Sequence, residues 1–152
     1  MTSAFDARVR RPEAHEPLLK SMMDDAGFST MRDALLFAAA VGIYIGRKAP
    51  FGKAYGDSIR YEILTKESFS DAFISMIAAN ETDDPEILGN DRIDDRLKTF
   101  EQYMVGGFEY IQELVNTRSQ PVELVVSSLV TEALSELGNS DPASIEDLLD
   151  GY

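Results

Sequence analysis

Cysteine is absent from all 152 positions, which excludes disulfide frameworks, thiolate zinc sites, iron–sulfur clusters and cysteine nucleophiles together. Histidine is nearly absent, with His15 alone in the chain. A histidine-based catalytic triad, a two-histidine zinc site and a facial iron site all need partners that one imidazole does not supply. His15 is expected to face solvent near the first helix. Long hydrophobic runs are missing too. The longest, residues 34–45, is shorter than the roughly 20 apolar residues that cross a bilayer, and residues 1–11 carry no apolar segment of the signal-peptide kind. Neither membrane insertion nor secretion is expected, and the expected setting is cytoplasmic.

Motifs for bound phosphate and metal are also missing. There is no Walker A loop and no dinucleotide fingerprint, and residues 46–53 lack the glycine spacing of a phosphate cradle. Asp83, Asp84, Glu86, Asp91, Asp94 and Asp95 crowd one region, but without the turn glycine and terminal glutamate of a calcium loop. They read as caps and as favourable negative charge at helix starts. No catalytic residue, metal or cofactor is therefore expected, and such a side-chain inventory fits a protein that works by binding.

What is present suits one folded domain. Hydrophobic residues make up 44% and charged residues 27%, inside the normal globular range, and a chain of this length buries roughly 70% of its unfolded surface around one core. The formal net charge is −13, which disfavours nucleic-acid binding over the whole surface. That charge is lopsided. Residues 1–60 hold nine Lys/Arg against seven Asp/Glu, whereas residues 61–152 hold five against twenty.

Periodicity predicts an all-α fold, a bundle of about five helices with room for one minor extended pair. Residues 14–26 form the first helix, closed by Gly27. Thr30 and Asp33 have the capping-box spacing and introduce a second helix that is apolar on nearly every face, so it belongs at the centre of the core or at a subunit interface. Residues 46–60 are a basic loop, and residues 59–64 read as a short strand or an extended link. Ser68 and Asp71 cap a third helix whose stripe is Phe69, Ala72, Phe73, Met76 and Ile77. Asp84-Pro85 starts a further turn. A long helix carries Ile93, Leu97, Phe100, Met104, Phe108, Ile111 and Val115, with Gly106-Gly107 expected to weaken or kink it. Pro121 opens the last helix, with Val122, Val125, Val126, Leu129, Ala133 and Leu137 inward. The organisation is a basic arm over residues 1–13, a helical domain over 14–138 and an acidic tail over 139–152.

One cluster stands out against the acidic background. Arg47, Lys48, Lys53 and Arg60 interleave with Phe51 and Tyr55, and with Arg8, Arg10 and Arg11 they make the one face with the chemistry to grip phosphate. The competing reading is intramolecular, with the basic loop pairing to the acidic second half or docking an acidic partner.

The run from Phe28 to Gly42, followed by Gly46 to Phe51, resembles DNA phosphorothioation-associated protein 4, a small family of the Dnd system. Residues 59–63, residues 96–103 and Gly106-Gly107 are similar to its pattern as well, so the likeness spans residues 9–115 and leaves the acidic tail outside. The resemblance implies a prokaryotic accessory protein of machinery that places sulfur in the DNA backbone or restricts unmodified DNA, and it brings no catalytic residues. The leading reading is an adaptor whose acidic helices dock onto a larger protein component of that system. A second is a DNA-binding regulator of dimeric ribbon-helix-helix type, with residues 9–11 as the strand. A third is an acidic imitation of DNA that restrains a restriction component. A homodimer through the apolar second helix suits the same pattern.

Overall fold

The computed structural model describes residues 7–138, so residues 1–6 of the basic arm and the whole acidic tail, 139–152, lie outside the described residues. Within them six α-helices, α1 (Glu16–Asp25), α2 (Met31–Ile45), α3 (Tyr61–Leu64), α4 (Ser68–Thr82), α5 (Ile93–Arg118) and α6 (Val122–Gly138), accompany two short strands, β1 (Arg8–Val9) and β2 (Ile59–Arg60). The fold is mainly all-α, and the sixth helix beyond the expected five is the single turn α3. The extended segment at Ile59–Arg60 is half of a two-stranded antiparallel ribbon in which Arg8 pairs with Arg60 and Val9 with Ile59.

Local chemistry sets several boundaries. Thr30 has extended backbone and its hydroxyl accepts from the Asp33 N–H at 3.3 Å, which satisfies one of the donors that every helix start leaves open. Gly46 ends α2 in the left-handed conformation at φ 70°, where a side chain would be strained. The Asp84 carboxylate accepts from the Glu86 N–H at 3.0 Å, with Pro85 at the first helical position of a short 3-10 turn. The expected cap at the start of α4 is different. Glu67 precedes the helix without a side-chain cap, and Asp71 instead accepts the Tyr61 hydroxyl.

The centre of the molecule is the crossing of α2 over α5, and glycine makes it possible. A methyl group at Gly107 would lie 1.7 Å from the Ala38 carbonyl oxygen, one at Gly42 would lie 2.1 Å from that of Tyr103, and one at Gly106 would lie 2.1 Å from that of Arg47. Gly106-Gly107 therefore does not interrupt the long helix, although the low helix propensity of glycine predicts a weakening or kink there. α5 runs unbroken for 26 residues, because the tight backbone contact offsets the roughly 1 kcal/mol that each interior glycine costs. Phe100, Met104, Phe108 and Ile111 of α5 are fully buried with Leu35 of α2, Leu19 and Met22 of α1 and Val125 of α6.

Three further expectations are corrected. Ile77 is buried and Phe73 packs against the core as expected, but Phe69 and Met76 are 67% and 50% exposed while Ser70, Ile74 and Ala78 are buried, so the inward stripe is rotated from the expected one. Leu137 of α6 is exposed, because the packed part of that helix ends at Leu129. His15 is half-buried rather than solvent-facing. Its ring stacks on Phe108 with centroids 5.6 Å apart, and burial lowers its pKa against the opposing pull of Glu109.

A buried cation ties the acidic stretch to this core. Arg96 is 5% exposed and donates to the carbonyl oxygens of Ile87 and Gly89 at 2.7 and 2.8 Å, fixing the turn before α5. Among the described residues no helix is long and apolar enough to cross a membrane.

Candidate functional site

Gly106 lets the chain leaving α2 lie directly on α5, where the Ala49 N–H donates to the Gln102 carbonyl at 3.0 Å. That path carries the basic loop past the acidic faces of α4 and α5. Arg47 forks onto Glu113, with Nη1 and Nη2 both 2.9 Å from its oxygens, and reaches Glu109 at 3.0 Å. Lys48 pairs with Glu81, which also accepts the Tyr103 hydroxyl at 2.6 Å. The Lys48 ammonium and the Tyr103 hydroxyl hold the Glu81 carboxyl below the usual carboxylate range, and the same hydrogen bond pushes Tyr103 up to about 12. Arg47 likewise lowers the pKa of Glu113.

The start of the chain is fastened in a similar way. The Arg10 guanidinium forks onto Glu101 at 2.8 and 3.2 Å, and the Arg10 backbone N–H donates to the same carboxylate at 2.7 Å. Glu101 is 4% exposed, so this is a buried carboxylate with three donors. Arg10 also lies 4.1 Å over the Phe51 ring. Lys53 pairs with Glu13 at 3.4 Å, with both side chains well exposed. Arg10, Arg47 and Lys48 thus pair with acids of the second half of the chain, whereas the partners of Lys53 and Phe51, Glu13 and Arg10, lie in its first part.

Arg8, Arg11 and Arg60 come together elsewhere. They line an open cleft of about 550 Å³ between the β1–β2 ribbon and the start of α2, and Arg32 joins them there. Arg11 donates to the Tyr55 carbonyl at 2.9 Å and lies 5.1 Å over the Tyr55 ring. Gly56, at φ 64°, leaves room for it, since a methyl group there would fall 2.3 Å from the Arg11 guanidinium. Sequence reasoning missed Arg32, although a signal existed. A cation in the first turn of a helix opposes the helix dipole, and that unfavourable placement is visible once Thr30 is recognised as the cap.

A second surface feature is apolar. Phe37, Val41 and Tyr44 of α2 face Leu129, Val130 and Leu134 of α6 across a groove of about 330 Å³. Tyr44, Val130 and Leu134 are 45%, 43% and 62% exposed. α2 is therefore buried along one side against α5 and partly open along the other. The acidic residues beside the groove are Glu132 and Glu136, the second of which pushes the Tyr44 hydroxyl up to about 12 by accepting its hydrogen bond. α6 contains no Lys or Arg. Among the described residues no group of three or more His, Asp or Glu is placed to hold a metal ion.

Against known proteins, residues 8–148 match the family described as DNA sulphur modification system-associated protein 4. The chain belongs to that family. The match reaches well past residue 115 and takes in most of the acidic tail, so the tail is not outside the family's pattern. The family's description links the chain to a DNA sulphur modification system. No curated protein and no solved structure matches it.

Proposed function

We propose that this chain is a non-catalytic accessory subunit of a cytoplasmic DNA sulphur modification system, and that it acts by docking onto a larger protein component of that system. The observation that carries the reading is the α2–α6 groove, an apolar trough beside acidic side chains on a helix without a cation. Leaving Tyr44, Val130 and Leu134 in water is unfavourable by roughly 25 cal/mol for every Å² of apolar surface exposed. A partner that covers them recovers this energy. The acidic surround selects the chemistry of that partner as an amphipathic helix whose apolar side is flanked by Lys and Arg.

The basic loop fits the same reading. Arg47 and Lys48 already hold acidic partners on α5 and α4, so their role is to fasten the loop across the glycine crossing. A ribbon-helix-helix regulator is disfavoured because β1, the strand that such a dimer would pair with a second copy, is paired with β2 of the same chain.

The test is pairwise binding of the purified chain to each purified component of the modification system, with Leu134→Glu and Val130→Glu beside the wild type. One component is expected to bind, with affinity reduced about tenfold or more by either substitution, in keeping with a hot spot at a buried apolar anchor. Binding of no component, or equal binding by both variants, refutes the reading. Self-association through the groove would appear as a concentration-dependent dimer in the partner-free sample and would also refute it.

A further inference from the structure

The β1–β2 ribbon has two residue pairs, and one of them is Arg8 opposite Arg60. Residues in register across an antiparallel pair present their side chains on the same face, and like charges directly opposite one another are destabilising. A chain of net charge −13 has many acids to place there. It places two arginines side by side, with Arg11 and Arg32 lining the same cleft. Among the described residues, Asp57 is the one acid lining that cleft.

How these arginines are partnered separates them from Arg10 and Arg47. Arg10 and Arg47 are forked onto carboxylates at 2.8 to 3.2 Å. In the cleft, Arg11 reaches Glu16 at 3.6 Å, Arg32 reaches Asp33 at 3.6 Å and Arg60 reaches Glu62 at 3.2 Å, and Arg8 has no ion pair or side-chain hydrogen bond among the described residues. Arg11 also donates to the Tyr55 carbonyl and to the Met31 sulfur, but each guanidinium carries five N–H donors, so most of the donors in the cleft have no partner among the described residues. Thr30, at the start of the 15-residue α2, also lines it and adds the positive end of a helix dipole.

We infer that this cleft binds the phosphodiester backbone of duplex DNA, with Arg8 and Arg60 gripping neighbouring phosphates. Arg32 contributes a third contact, and Arg11, held by Tyr55, shapes the wall. Guanidinium forks match phosphate oxygens in geometry as well as charge, and a phosphate bound to each arginine relieves the repulsion of the opposed Arg8–Arg60 pair. The cleft is an open trough lined from three separate segments, which suits a run of backbone phosphates better than one enclosed ion. Acidic surface elsewhere keeps the contact local, so few phosphates are engaged and no sequence preference results. The docking groove is built from other residues, so this site and the proposed protein contact stand or fall separately.

The experiment is fluorescence anisotropy of a short labelled DNA duplex against the full chain over a salt series. Wild type is expected to bind at low salt with a slope of log K against log salt of about −2 to −3, for two or three phosphates at about 0.9 each. The double variant Arg8→Gln/Arg60→Gln should lose about tenfold or more, with the slope reduced by about 2. Arg8→Lys/Arg60→Lys should keep most of the slope, and Arg47→Gln and Leu134→Glu should bind DNA as wild type does. Circular dichroism of each variant confirms that the helices persist. The inference is overturned if wild type does not bind duplex at low salt, or if the double glutamine variant binds as tightly as wild type. It is equally overturned if Arg47→Gln loses as much as the cleft variant, or if a mononucleotide competes more strongly than unlabelled duplex of equal phosphate content. Retained binding to the protein component by the double glutamine variant would show that the two sites are independent.

Discussion

Replacing Gly107 with alanine places a methyl group 1.7 Å from the Ala38 carbonyl oxygen and 2.6 Å from its carbon, where ordinary contact begins near 3.4 Å. Both obstructing atoms are backbone, so no flexible side chain can swing aside and α2 must move off α5 by more than an ångström. Overpacking a tight site costs about 1–3 kcal/mol, with rigid surroundings toward the upper end. The alanine returns roughly 1 kcal/mol of helix propensity. The expected net loss is about 2 kcal/mol, or a fall in melting temperature of about 4–8 °C for a domain of this size. Urea unfolding followed by circular dichroism measures it directly. Gly138→Ala is the control, since a methyl group there meets nothing within 4 Å and its stability should stay close to wild type. A Gly107→Ala protein as stable as wild type or more so would refute the claim that backbone contact at the α2–α5 crossing is why α5 keeps its glycines.

Other outcomes follow from groups that are buried unequally. Arg10→Met leaves the buried Glu101 carboxylate without its countercharge and with one donor, the backbone N–H of residue 10, and should cost about 3–5 kcal/mol. Glu101→Leu releases an Arg10 that is already half-exposed and leaves one backbone N–H without its acceptor, which should cost about 1–3 kcal/mol. Equal losses in urea titrations would contradict that asymmetry. Burial lowers the pKa of His15 from its ordinary 6.5, so the unfolded chain takes up its proton first as pH falls. The stability from neutral His15 is thus fully present above 6.5 and is lost as pH falls through the lower folded pKa. Because this is the single histidine, its imidazole proton resonances report the titration cleanly, and a midpoint at or above 6.5 would contradict the stacked, half-buried placement on Phe108.

Local signals were the legible part of this fold. Thr30 with Asp33, Asp84 with Pro85, and Pro121 each set an element boundary through contacts within a few residues. The apolar series of α5 named its buried face because one helix side meets one core. Signals whose meaning depends on a distant partner read differently. Gly106 and Gly107 look like breaks until the α2 backbone is laid against them. Phe69 and Met76 look like core, yet Ser70 takes the inward position and leaves them exposed.

The binding residues divide along the same line. The basic cluster was visible as composition, but which cations face acidic helices is set by the path of the loop over Gly106, and the Arg8–Arg60 pairing joins positions 52 residues apart. Arg32 enters the cleft through the position of α2, which no count of charge along the chain conveys.

The most direct measurement of the docking account is amide hydrogen exchange on the chain with and without the component that binds it. The account predicts new protection over residues 37–44 of α2 and 129–134 of α6, the two walls of the apolar groove, with the β1–β2 ribbon unchanged in the absence of DNA. Protection confined to the ribbon and the basic loop, with the α2–α6 groove exchanging as it does in the free chain, would contradict it.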